Sequence, residues 1–150
     1  MELNTANRFN FREPTKVELK SIGFSSFSHR QLVATIKSTI FLIAADNRFT
    51  KDELSYLRMI CSDAPNPQQA LEESKDMDVN EMFAIISSMS KEQKNTVLYH
   101  WVLLLISNNP YPQRTFNLSL YPNEKPVFID MANRCNINIS AFLNGTVQLI

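Results

Sequence analysis

Ala44-Ala45-Asp46-Asn47-Arg48-Phe49-Thr50-Lys51-Asp52-Glu53 is the stretch that decides the fold. Upstream, Leu32, Val33, Ile36, Ile40, Phe41, Ile43 and Ala44 recur at helical spacing and make a wide apolar stripe, so a helix is expected from His29 to Ala45. Asp46 and Asn47 are turn formers at its end, and Asn tolerates the left-handed backbone of such a corner. Thr50 with Glu53 is a capping box: the hydroxyl accepts from the Glu53 amide, and the carboxylate reaches back to the Thr50 amide. A second helix is therefore expected through Leu54, Leu57, Ile60 and Cys61 to about Ser62, stopped by Pro65 and Pro67.

Working outward, Gln68–Ser74 reads as a short helix. Asp78 with Glu81 opens another that carries Met82, Phe83, Ile85, Ile86 and Met89. Ser90 with Gln93 opens a third, running through Val97, Leu98, Trp101, Val102, Leu104, Leu105 and Ile106. It is apolar on nearly every side, so it should be the central, most buried helix. Asn123 is expected to cap a helix with Pro126 in its first turn and Val127, Phe128 and Met131 facing inward. Ile139–Asn144 is expected as a last short helix ended by Gly145. Residues 1–28 are weakly patterned and read as a partly ordered arm, in which Val17–Lys20 fits either a short strand or a helical turn. The expected architecture is all-α: one helical domain over 29–150 with about seven helices.

The chain partly overlays itself at a shift of 62 residues, Phe41–Asn47 falling on Leu103–Asn109. Beyond the corner, Glu53, Tyr56, Leu57 and Ile60 resemble Glu124, Val127, Phe128 and Met131. Two helix–corner–helix pseudo-repeats are expected, against the plainer reading that any two apolar helices share this period. Ala44-Ala45-Asp46-Asn47, Thr50 and Glu53 also resemble the tellurite-resistance TerB family. Its pattern is small-small-Asp-Gly, a few residues, Ser or Thr, two residues, then Glu, and it occurs twice. The resemblance covers roughly His29–Ile137. It implies an all-helical bacterial module, linked to stress response or the envelope, whose corner acids gather as a metal site. Carried over, that site comprises Asp46, Glu53, Asn108 and Glu124, with Asn47 standing for Gly and Asn108 for the second Asp. The second corner has lost a charge and gained a loop. Hard cations want six to eight oxygens, so three carboxylates and an amide give at best a weakly bound divalent cation. Apart from that cation, no cofactor is implied. Capping alone accounts for Glu53, and turn formation for Asp46.

The Pro110–Pro122 segment is long for a connection between helices and rich in aromatics. Two readings stand open: Tyr111, Phe116, Leu118 and Tyr121 form a partner-binding flap, or Phe116 and Leu118 fold back over the core. Asp63, Glu72, Glu73, Asp76 and Asp78 form an acidic stretch that reads as a solvated face or an acidic docking surface. Fifteen Lys+Arg balance fifteen Asp+Glu, which gives no basic field for nucleic acid. The apolar runs are too short for membrane insertion, and the N-terminus does not read as a secretory signal. Cys61 and Cys135 lack CxxC spacing and read as free buried thiols in the cytoplasm. His29 and His100 have no ligand-spaced partner, and no nucleophile or phosphate-loop motif occurs, so the chain does not read as an enzyme. The expected function is a non-enzymatic TerB-like module for protein docking or ion sensing. A structural adaptor with a dead metal corner is the alternative, followed by a metal-dependent hydrolase. Oligomeric state is not legible.

Overall fold

The computed structural model describes residues 15–43, 67–106 and 115–149. Strand β1 (Thr15–Leu19) leads to helix α1 (His29–Ile43). Helices α2 (Pro67–Asp76), α3 (Val79–Ser87) and α4 (Lys91–Ile106) follow. Then come β2 (Thr115–Phe116), a single 3-10 turn (Leu118–Leu120), α5 (Lys125–Arg134), α6 (Ser140–Asn144) and β3 (Gly145–Leu149). The fold is predominantly helical, as the periodicity requires. The corner that decides the sequence reading, with Thr50, Glu53 and Cys61, lies outside the described residues.

Helix starts follow local chemistry. Asp78 sits at an extended φ/ψ and its carboxylate accepts from the Asn80 and Glu81 amides, which caps α3. Glu81 does not complete that box; its carboxylate pairs with Arg30 of α1. Ser90 and Gln93 form the full reciprocal box, with Gln93 N donating to Ser90 Oγ and Ser90 N to Gln93 Oε1, both at 3.1 Å. Helix α5 departs from expectation at its start. Glu124, not Asn123, is the N-cap, and it sits in helical φ/ψ without a side-chain cap bond. Pro126 occupies the first turn as expected, where its missing N–H costs nothing. At the other end, Asn136 (φ 55) takes the left-handed position, and Ile137 N donates to Ala132 O at 2.8 Å, closing a Schellman-type stop.

A small three-stranded sheet joins the two ends of the described chain. β3 is its middle strand, parallel to β1 (Thr15 opposite Gly145, Leu19 opposite Leu149) and antiparallel to β2 (Phe116 opposite Val147). Leu19, Val147, Leu149 and Phe116 turn inward and are buried, while Glu18 and Gln148 stay exposed, the period of two that a one-sided sheet imposes.

Helix α4 is the central element: Thr96, Val97, Leu98, Trp101, Val102, Leu104, Leu105 and Ile106 are all buried. Around it stand Ile36 and Leu42 of α1, Met82 and Ile86 of α3, and Phe128 and Met131 of α5. An aromatic cluster seals the sheet side. Phe116, Phe128 and Phe142 lie 5.7–6.0 Å apart by ring centroid, and Trp101 meets Phe128 edge-on at 5.8 Å. The indole N–H of Trp101 donates to Ser38 Oγ at 2.8 Å, and Ser38 Oγ donates to Thr35 O at 2.6 Å. No buried side-chain nitrogen or oxygen among the described residues lacks a partner.

Candidate functional site

The Ser–Gln box that opens α4 has a twin. Ser28 N donates to Gln31 Oε1 at 2.9 Å and Gln31 N to Ser28 Oγ at 3.1 Å, so α1 begins as α4 does, again at the 62-residue shift. The two boxes touch, Gln93 Nε2 donating to Gln31 Oε1 at 3.2 Å and to Ser26 O at 3.1 Å. Two turns further on, Ser38 meets Trp101. The two contacts are displaced by nearly the same number of residues, so α1 and α4 run side by side and parallel. Their C-terminal ends, at Ile43 and Ile106, therefore point the same way. The segments carrying Asp46 and Asn108 are attached at those ends.

Of the four acidic-corner residues, Asp46, Glu53 and Asn108 lie outside the described residues. Glu124 is half-buried at the start of α5. Among the described residues no three His, Cys, Asp or Glu side chains gather as metal ligands.

The aromatic segment is better defined. Tyr111 lies outside the described residues. Phe116 and Leu118 are each 1% exposed, so of the two readings the structure takes burial for both. Phe116 pairs through β2 with Val147 and packs on Phe128 and Phe142. This corrects their assignment to a binding flap: a side chain closed inside the core has no surface to offer a partner. Tyr121 is half-buried and stacks on Phe116 at 5.3 Å. What the segment does expose is Leu120, at 68%, which sequence reasoning did not single out. No signal in the sequence separates Leu120 from Leu118; the local backbone does. A 3-10 turn brings every third side chain to one side, so Leu118 and Leu120 cannot both point inward.

The acidic stretch is largely engaged. Glu73 accepts from His29 Nε2 at 2.9 Å and from Arg30 at 3.4 Å, tying α2 to the start of α1. The His29 hydrogen bond holds the Glu73 carboxyl below its usual range, and the Glu81 hydrogen bond raises the Arg30 guanidinium. Gln68 bonds Glu72, and Asp78 is the α3 cap; Asp63 lies outside the described residues.

His100 lies against Phe24, rings stacked at 4.7 Å, under the Ser21–Ser25 segment, and burial pushes its pKa down to about 4. A neutral imidazole among aromatic rings is a packing element. Cys135, buried at the end of α5, has its thiol pushed up to about 12 by burial, with the Lys94 charge opposing. Native Cys61→Ser protein is therefore expected to react with a disulfide reagent at mildly alkaline pH only as fast as it opens, and to release one thiol equivalent at once in denaturant. Prompt reaction of the native variant would contradict this burial.

No family model matches the chain, and no curated protein matches it. The fold is similar to that in the crystal structure of a protein of unknown function, PG1108, from Porphyromonas gingivalis W83. The TM-score is 0.61 at 17% sequence identity, over 82% of this chain and 89% of that one. At that identity the likeness concerns the fold alone. No helix among the described residues is long and apolar enough to cross a membrane.

Proposed function

We propose that the chain is a non-enzymatic, TerB-like bacterial module of the cytoplasm. It docks a protein partner or senses ions in a stress or envelope-linked pathway, from the end of the molecule where α1 and α4 finish. One observation supports this reading above the others. The two helices are parallel, begin with the same reciprocal Ser–Gln box and sit at the repeat shift, as two copies of one helix–corner unit would. The helices that precede Asp46 and Asn108 in the sequence run the same way, which a shared acidic site needs. The reading favours docking over hydrolysis because a catalytic metal needs firm ligation with an open position, and the second corner carries Asn108 in place of Asp.

The test is thermal unfolding with and without millimolar Ca²⁺ or Mg²⁺, for the wild type and for Asp46→Ala. The wild type is expected to gain a few degrees at most, following mass action near the dissociation constant, and the variant nothing. Equal shifts in both proteins would remove Asp46 from any cation site. No shift in either leaves the structural adaptor as the form of the docking reading that stands.

A further inference from the structure

A cleft of about 550 Å³ lies between the first turns of α4, the end of β1 and the segment Asn136–Phe142. Its floor is apolar and drawn from separate elements: Leu19 of β1, Leu98 of α4, Ile137 after α5 and Phe142 of α6, all buried. Its rim is polar. Lys91 and Lys94 stand one turn apart on α4, with Asn95 beside them, and Glu18 comes from β1.

The wall opposite α4 is fixed by its own bonds. Asn136 Nδ2 donates to Ser87 Oγ at 2.6 Å, and Asn138 Oδ1 accepts from Ser140 N at 2.9 Å. Lys94 Nζ reaches across to the Asn136 carbonyl at 3.3 Å, which holds its charge over the cleft. The side chains of Lys91 and Asn95 make no bond among the described residues, so an ammonium and an amide remain available at the mouth.

We propose that this cleft binds a small organic anion with a short apolar body. The anionic group sits at Lys91 and Lys94, within reach of the Asn95 amide, and the body lies over Leu98 and Phe142. The size falls in the range of small-molecule sites, whose usual make-up is an apolar lining with a few placed polar groups. Two ammonium groups against one carboxylate select the sign of the ligand, and the low-dielectric floor strengthens their field beyond its value in open water. Glu18 opposes an anion, so its charge gives the proposal a second test of opposite sign.

The experiment titrates octanoate, and separately octanol, into the full chain and follows backbone amide shifts by NMR. Octanoate is expected to move amides of Lys91–Leu98 and Asn136–Phe142 in a saturable way. Octanol should bind about tenfold more weakly or not at all. Lys91→Ala with Lys94→Ala should lose about tenfold in octanoate affinity, and Glu18→Gln should gain a few-fold. Glu18 is exposed, so that variant keeps the test decisive if the double variant folds poorly. Equal affinity for the acid and the alcohol, absent or scattered shifts, or a Glu18→Gln variant no tighter than wild type would each overturn the proposal.

Discussion

Replacing Phe116 by alanine will lower the unfolding free energy by about 3–5 kcal/mol, while Leu120→Ser will change it by less than about 0.5 kcal/mol. The two residues lie in the same short segment, and sequence composition treats both simply as apolar. Their surroundings differ. Phe116 is 1% exposed and touches Phe128, Phe142 and Tyr121, three rings from three parts of the chain. It also holds the register of β2 on β3 opposite Val147. Truncation removes the buried ring and leaves a void that Phe128 cannot close without leaving Trp101. Leu120 is 68% exposed and loses almost nothing. Urea unfolding of the two variants decides the matter: similar midpoints would mean that Phe116 is not a core residue. The consequence for function is direct. Deleting the whole segment would unfold the protein and so could not report on partner binding. Leu120→Ser, with Tyr121 left in place, is the variant to carry into a pull-down.

The segment also shows where sequence reading stops. Helical periodicity located every described helix from α1 to α5 within a few residues, because apolar positions at 3.6 spacing have no other economical packing. It also placed the most buried helix, since Trp101, Val102, Leu104 and Leu105 leave the second half of α4 no polar side. The sheet was harder. Gly145-Thr146-Val147-Gln148-Leu149 does alternate, but a strand of five residues is stabilised by partners, and these come from Thr15–Leu19 and Thr115–Phe116, remote in sequence. Only the tertiary fold brings such partners together. The same applies to the duplication. From sequence, Ser90 with Gln93 reads as a box, and Ser28 with Gln31 is not singled out; what joins the two is the contact between Gln31 and Gln93, and pairing across the bundle is not written in either box. For the candidate site, the sequence supplied the residue types at the acidic corners. The structure adds the common direction of the helices that lead to them. The aromatic segment looked like a binding surface because Tyr, Phe and Leu serve interfaces and cores alike, and burial alone separates the two uses.

Acid will destabilise this protein through His100. In the unfolded chain His100 takes up a proton near its ordinary value of 6.5; in the fold it stays neutral until about pH 4. Between those values the unfolded state binds more protons than the native state, so stability falls as pH drops through that window and is level above it. The cause is removal of the imidazole from water beneath Phe24, with the Tyr99 ring 5.9 Å away. A shift of that size corresponds to about 3 kcal/mol at the acid end of the window, and partial access to water reduces it to about 2 kcal/mol. His100→Phe retains an aromatic ring to stack on Phe24 and has no proton to gain. The expected result is that wild type and His100→Phe diverge steadily in denaturant midpoint from pH 6.5 to pH 4 and run parallel above it. The Glu73 carboxyl, held low by His29, is present in both proteins and cancels in the difference. Parallel curves across the whole range would show that His100 titrates in the fold as it does in water, and that the segment over it opens to solvent.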